Sequence, residues 1–296
     1  MIPRVGLIYI RLAMVLGALA SGAGLSLAAA QAKHNPHHPP AKLDPPAKLD
    51  AIYRASLLGL PLGEISWTVE LRNNGYATTA TGGLAGLLRI FSDGHGEVAA
   101  HGRLTEGRPV VADFALKVIA GKWTDAVRIV FRGGKAHEYI AGPPLPPKPN
   151  QVPVTDADRV GVLDPMTALL IAMPGTGETA LPEACDRTIA IFDGHTRYNL
   201  RLNFKRTEKV QTPTGYRGPV MVCAVKFFPV AGYDPHHFLV TYLAAQPEME
   251  VWLAPFAGSR LMVPYRLSVP TPLGLGVLQA TKFESLPAQS LTTGLN

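Results

Sequence analysis

Thr196-Arg197-Tyr198-Asn199-Leu200-Arg201-Leu202-Asn203-Phe204-Lys205 carries the clearest structural signal in the chain. Tyr198, Leu200, Leu202 and Phe204 alternate with Arg197, Asn199, Arg201, Asn203 and Lys205. A backbone of period two sends the first set to one face and the second to the other, which is the pattern of a half-buried strand. The same rhythm runs upstream, where Ile65, Trp67, Val69 and Leu71 stand against Glu64, Ser66, Thr68, Glu70 and Arg72. Asn73-Asn74-Gly75 then predicts a hairpin turn into residues 76–81. Further strands are expected at residues 98–104, 110–119, 126–131, 137–141, 187–192, 220–228, 249–253, 261–269 and 274–283. Asp93-Gly94 and Asp193-Gly194, each followed by a histidine, read as tight turns.

One helix is expected among these strands. Asp164 stands as its N-cap and Pro165 at its first position, and the apolar residues 166–173 end at Pro174-Gly175. Pro-rich residues 142–158 divide the strands into two sets, read as a crossover within one continuous sheet, with two separate small sheets as the alternative. Many antiparallel strands with one apolar face must curl or stack to bury it. The expected fold is therefore mainly β, a curved antiparallel sheet forming an open or incomplete barrel, with one short apolar helix.

Arg4, Arg11 and the apolar residues 12–27 precede Ala28-Ala29-Ala30 and Ala30-Gln31-Ala32, the pattern of a cleaved signal peptide over residues 1–32. An uncleaved anchor is the alternative, although Arg11 interrupts the apolar stretch. Residues 33–50 are rich in Pro and His and repeat the hexapeptide Pro-Pro-Ala-Lys-Leu-Asp, at 39–44 and again at 45–50. They are expected to form an extended tether, with the β-rich domain over residues 51–296. Nothing after the signal is long and apolar enough to be expected to span a membrane, and the expected location is the periplasm. In that oxidising compartment Cys185 and Cys223 are expected to pair as a disulfide.

The 28 basic and 22 acidic residues give a net charge of +6, which falls to +4 when Arg4 and Arg11 leave with the signal. So small and dispersed a charge argues against nucleic acid. Neither His34, His37 and His38 nor His236-His237 belongs to a converging ligand set, so no metal or other cofactor is expected. Gly82-Gly83 lacks the Lys-Ser/Thr of a phosphate loop, no Gly-x-Ser-x-Gly occurs, and Asp156 and Asp158 read as a solvated loop. Two surfaces remain. Trp67, Tyr198, Leu200, Leu202, Phe204 and Trp252 are either plain core or a face for an apolar ligand. Arg197, Arg201 and Lys205, beside Arg206 and Lys209, are either a solvated face or a contact for anionic lipid or an acidic envelope partner.

Several short runs together resemble one family: residues 53–63, the Asp164-Pro165-Met166-Thr167-Ala168-Leu169-Leu170 start, and Phe192-Asp193-Gly194-His195-Thr196-Arg197-Tyr198. Cys223 leading into Pro229-Val230-Ala231-Gly232-Tyr233, then residues 251–255 and 270–274, complete the likeness. Residues 53–83 and 164–283 thereby resemble the uncharacterised bacterial envelope proteins catalogued as domain of unknown function 3108. The resemblance implies an exported β-rich fold and supplies no catalytic residues. The functional expectation is a non-enzymatic periplasmic envelope protein that binds an apolar ligand or serves as an interaction module, its partner a lipid or an envelope protein. A periplasmic hydrolase of unknown substrate is the alternative.

N-terminal sequencing of the protein recovered from its native cells is expected to begin at Gln31 or Lys33. An intact Met1 in the membrane fraction would replace secretion with anchoring.

Overall fold

The computed structural model describes residues 47–84, 94–142, 150–174, 182–247 and 249–287. The expected signal peptide, residues 33–46 of the tether, Asp93 of the first Asp-Gly turn and residues 143–149 of the Pro-rich stretch lie outside the described residues. Seven strands come first: β1 (Ala47–Leu57), β2 (Leu60–Arg72), β3 (Gly75–Leu84), β4 (His95–Thr105), β5 (Arg108–Ala120), β6 (Trp123–Arg132) and β7 (Lys135–Gly142). A connecting segment then holds the single-turn 3-10 helices Ala157–Arg159 and Thr167–Leu169 and the short β8 (Ile171–Ala172). After a third such turn, Pro182–Ala184, come β9 (Arg187–Phe192), β10 (Arg197–Gln211), β11 (Thr214–Gly215) and β12 (Arg217–Ala231). The helix α1 (Phe238–Ala245) leads to β13 (Met249–Pro255), β14 (Leu261–Thr271) and β15 (Gly274–Pro287).

All fifteen strands among the described residues belong to one sheet, ordered β7-β6-β5-β4-β3-β2-β1-β15-β14-β13-β12-β10-β9, with β11 beside β15 and β8 beside β14. Strands from both sides of the Pro-rich stretch therefore share a sheet, through the antiparallel pairing of β1 with β15. The sheet curls until its edges, β7 and β9, face the same short segment. Val160 bridges Lys135 on β7, Leu163 bridges Ile191 on β9, and Leu163 exchanges backbone hydrogen bonds of 2.9 Å with Ala190 and Phe192. The result is a nearly closed antiparallel barrel-like sheet. Asn73 and Asn74 both take positive φ, 51° and 59°, so the expected hairpin turn forms as the mirror-image type that matches strand twist.

The expected tether boundary at residue 50 is corrected by β1, which starts at Ala47. Ala47 and Leu49 are buried because β2 and β15 flank them, Ala47 lying opposite Leu71 and Pro287. Ala-Lys-Leu-Asp alternates apolar and charged residues as a strand does, and neighbours on both sides make that alternation count.

The expected helix at Asp164 is also corrected. Asp164 does cap a turn, its Oδ1 accepting from the backbone N–H of Met166 (2.8 Å) and Thr167 (3.0 Å). The helix stops after Thr167–Leu169, and Ile171 and Ala172 pair with Met262 and Leu261 of β14. Eight residues, apolar but for Thr167, are too few to sustain a helix without tertiary support, and here the support favours another conformation. The segment runs as a plug whose side chains divide between packing regions. Met166 and Leu170 join the main core with Tyr53, Trp67, Phe114 and Phe283, while Ile171 and Met173 join a second cluster around Cys185 and Cys223. The one α-helix among the described residues is instead α1, which the sequence reading left without an assignment. His237 caps it, Nδ1 accepting from Leu239 N at 3.3 Å. No helix among the described residues is long and apolar enough to cross a membrane.

Cys185 and Cys223 form the expected disulfide, closing a loop of sequence separation 38. Chain entropy assigns such a crosslink about 4 kcal/mol.

Asp164 is fully buried and its Oδ2 has no hydrogen-bond partner among the described residues. Burial pushes the carboxyl up to about 6 against the opposing pull of its bonds to Thr167 and Met166. The folded chain then holds this proton more tightly than the unfolded chain, so the contribution of Asp164 to stability falls as pH rises from about 4 to about 6. Asp164→Asn keeps an oxygen for the two N–H donors and removes the charge. Urea titrations are expected to show it more stable than the parent at pH 7 by roughly 1–2 kcal/mol, with a flatter dependence across that window. An unchanged pH dependence would contradict this reading of Asp164.

Candidate functional site

Between the plug and the strands β9, β10, β12, β13 and β14 lies a partly open apolar cavity of about 160 Å³. Pro165 and Ala168 of the plug form one wall, Tyr198, Leu200 and Phe227 a second, and Leu243 of α1 adds to the lining, with Glu250 and Ser268 as its polar members. The wall follows from strand alternation: Tyr198, Leu200 and Leu202 of β10 lie opposite Pro229, Phe227 and Val225 of β12. Tyr198 packs against Phe227 with ring centroids 5.6 Å apart, and burial raises its hydroxyl pKa well above the ordinary value. Such a wall offers a solute dispersion contacts and few hydrogen bonds, so it suits hydrocarbon better than a polar substrate.

The six residues expected to share an apolar face are not brought together. Tyr198 and Leu200 line the cavity, and Leu202 packs instead around the disulfide. Trp67 is buried in the main core and donates its indole N–H to Thr78 Oγ1 at 2.6 Å. Phe204 is exposed. The pairing of β10 with β9 ends at Leu202↔Arg187, and a bulge beside β12 follows between Phe204 and Arg206, so Phe204 lacks a neighbouring strand on one side. Trp252 is half-buried elsewhere, its ring between the guanidinium groups of Arg206 (5.5 Å) and Arg266 (5.0 Å). The cavity's other walls include Phe227 of β12, Leu243 of α1, Met249 of β13 and Ala168 of the plug. The sequence reading placed Phe227 and Met249 in expected strands and Ala168 in an expected helix, and left Leu243 without an assignment.

The expected basic row is broken as well. Arg197 turns back on its own strand, donating to Tyr198 O (2.5 Å) and Asn199 Oδ1 (2.9 Å). Lys205 donates to Glu250 Oε1 at 2.7 Å, which also accepts from Arg206 at 2.9 Å. The Arg206 guanidinium, with Lys205 and the Trp252 indole N–H assisting, draws the Glu250 carboxyl down to about 2. Arg201 remains exposed.

The run Phe192-Asp193-Gly194-His195-Thr196-Arg197-Tyr198 lies at the seam of the barrel. Asp193 Oδ1 accepts from His195 N (2.9 Å) and Thr196 N (2.6 Å), and Oδ2 from the Thr196 hydroxyl (2.7 Å), fixing the turn between β9 and β10. His195 Nε2 reaches 3.1 Å to Asp125 Oδ1 on β6, and Phe192 packs edge-on against Tyr139 of β7 at 5.4 Å. This turn latches one side of the seam to the other. Although Asp125 and His195 resemble half of a proton-relay pair, no serine or cysteine bonds to His195 among the described residues. His236 and His237 sit at the start of α1, and no group of three His, Cys, Asp or Glu among the described residues is placed to hold a metal.

The molecule is thus of the class of antiparallel barrel-like proteins, latched at one seam and carrying an apolar cavity. The chain belongs to the family described as protein of unknown function (DUF3108), whose model matches residues 52–281. Among solved structures, it is similar to the beta-barrel-like protein of domain of unknown function DUF1849 from Brucella abortus. That likeness has a TM-score of 0.47 and 10% identity, covering 82% of this chain and 98% of that one. No curated protein matches the chain.

Gly194 has φ +91°, and a Cβ there would sit 2.5 Å from Val127 Cγ1, a buried and stiff β-branched side chain on β6. Gly194→Ala is expected to cost roughly 2–3 kcal/mol by chemical denaturation. In a Val127→Ala background the cost should fall by at least about 0.5 kcal/mol, because the clash is relieved and the backbone strain is not. Strict additivity of the two changes would remove Gly194 from the seam contact.

Proposed function

We propose that this protein is a non-enzymatic component of the bacterial envelope, working in the periplasm, which holds a slender apolar group in its cavity. The group is the end of an acyl chain or a small aromatic molecule. The cavity carries this reading: about 160 Å³ walled mainly by aromatic and aliphatic side chains. An engineered cavity of about 150 Å³ with such walls takes up benzene, so the space suits a ring or the last few carbons of a chain rather than a whole lipid. The disulfide and the signal-like leader support export.

Ligands that bind only the folded state raise its stability in proportion to their occupancy. Toluene or decanoic acid near saturation is expected to raise the unfolding temperature of the wild-type protein by several degrees. Ala168→Leu fills the cavity from the plug, and is expected to weaken that response at least about tenfold in ligand concentration. Its own unfolding temperature should be kept or raised. If the wild-type protein does not respond to either ligand, or the filled variant responds equally, the cavity is not a binding site.

A further inference from the structure

We infer that the barrel end formed by the β1–β2 and β14–β15 hairpins is a membrane-docking surface that enters the interfacial region of a lipid bilayer. The two tips lie side by side, Leu58 N donating to Leu275 O at 3.0 Å. Leu58, Leu60, Leu273 and Leu275 stand 67%, 69%, 67% and 42% exposed there. A polar rung crosses the four strands in register, Glu64 beside Arg54, Arg54 beside Gln279 and Gln279 beside Arg266. Beyond that rung neither hairpin contains a charged residue: 55–63 and 267–278 are wholly uncharged.

The depth of the band identifies the occupant. Leu57 lies three residue steps beyond Arg54, which at the strand rise is about 10 Å. That is the depth to which apolar groups of surface-bound elements enter the headgroup and acyl boundary, about 5–10 Å. A protein partner would have to offer a cleft shaped to two blunt tips, whereas a fluid bilayer conforms to them. The backbone is also prepared for an apolar medium. Pro61, Pro270 and Pro272 have no N–H, the Thr271 hydroxyl donates to Gly274 O at 2.7 Å, and Leu273 N donates to Thr271 Oγ1 at 3.2 Å.

The turn chemistry sets the β1–β2 hairpin apart from the turns at the far end. Leu58 has φ +51°, a conformation that L residues avoid and that Asn73 adopts with the same φ at the opposite end of β2. Where the chain needs this geometry at the far end it uses Asn73-Asn74, and Glu106-Gly107 in the β4–β5 turn. At the proposed docking end it uses Leu58-Gly59, keeping a large apolar side chain in solvent. Val269, which lines the cavity, is in register with Gly276 and so with Leu57, placing the cavity at the same end. The docking inference rests on the band alone and stands whether or not the cavity binds a ligand.

The test uses mature protein from its native cells, with vesicles of phosphatidylcholine alone and of phosphatidylethanolamine with phosphatidylglycerol. Wild-type protein is expected to float with both, and Leu58→Asp/Leu273→Asp to bind about tenfold or more weakly at an unchanged unfolding temperature. Because both native cysteines are bonded to each other, Leu273→Cys accepts a single environment-sensitive fluorophore that reports from the tip. Its emission is expected to shift to the blue only when vesicles are added. Four results would overturn the inference: no flotation, flotation equal in the Asp variant, binding confined to anionic vesicles and abolished by salt, or a blue shift before vesicles are added. The last would show the tips covered by another part of this chain or by a second copy.

Discussion

β1 joins the two halves of this molecule. It pairs with β2 along one edge and with β15 along the other, from Ala47 beside Pro287 to Leu57 beside Gly276. Each ladder bond is individually worth little net, but an unmade ladder would leave two buried edges of N–H and C=O groups without partners. The contacts it makes are among the longest in sequence that the chain permits, so the sheet becomes continuous only once the last strand is present. Tyr53, where β15 bulges against this strand, ties it to the far side of the core through its hydroxyl on Pro264 O and its ring near Trp67.

A sheet joined at its middle still has two free edges, and the second constraint is how they are managed. The edges do not pair with each other. The segment through Val160 and Leu163 lies between them, and the Asp193 to Thr196 turn reaches across to Asp125 and Val127. An open edge is a template for unwanted pairing, and here it is covered by a plug and a latch. The family-like run at Phe192 to Tyr198 thereby acquires a physical account: turn, latch, and cavity wall in seven residues.

The plug also explains why a cavity exists. Its residues serve the main core through Met166 and Leu170 and the disulfide cluster through Ile171 and Met173. A short chain serving both cannot fill the space between them, and Ala168 is the small side chain left facing the gap. The buried Asp164 that holds the plug's turn is a local cost of the same arrangement. Stability is supplied by the larger apolar clusters and the disulfide around it.

Strand alternation, turn residues and cysteine number are local properties, and from them the sequence by itself determined the β class, most strand positions, the Asn73-Asn74 hairpin and the Cys185–Cys223 pair. Alternation was decisive at Tyr198 to Leu202 because flanking strands exist there, and it misled at Phe204 because β9 has ended. Only the tertiary structure decided that Ala47 to Asp50 is strand, since nothing within Ala-Lys-Leu-Asp reveals that β2 and β15 lie on either side. It likewise turned an apolar run capped by Asp164 into a plug, and separated Trp67 from Trp252, because burial depends on which distant strand supplies the opposing wall. The cavity walls and the paired leucine tips share that origin: each is assembled from residues far apart in the chain, brought together by sheet order, which no local pattern encodes.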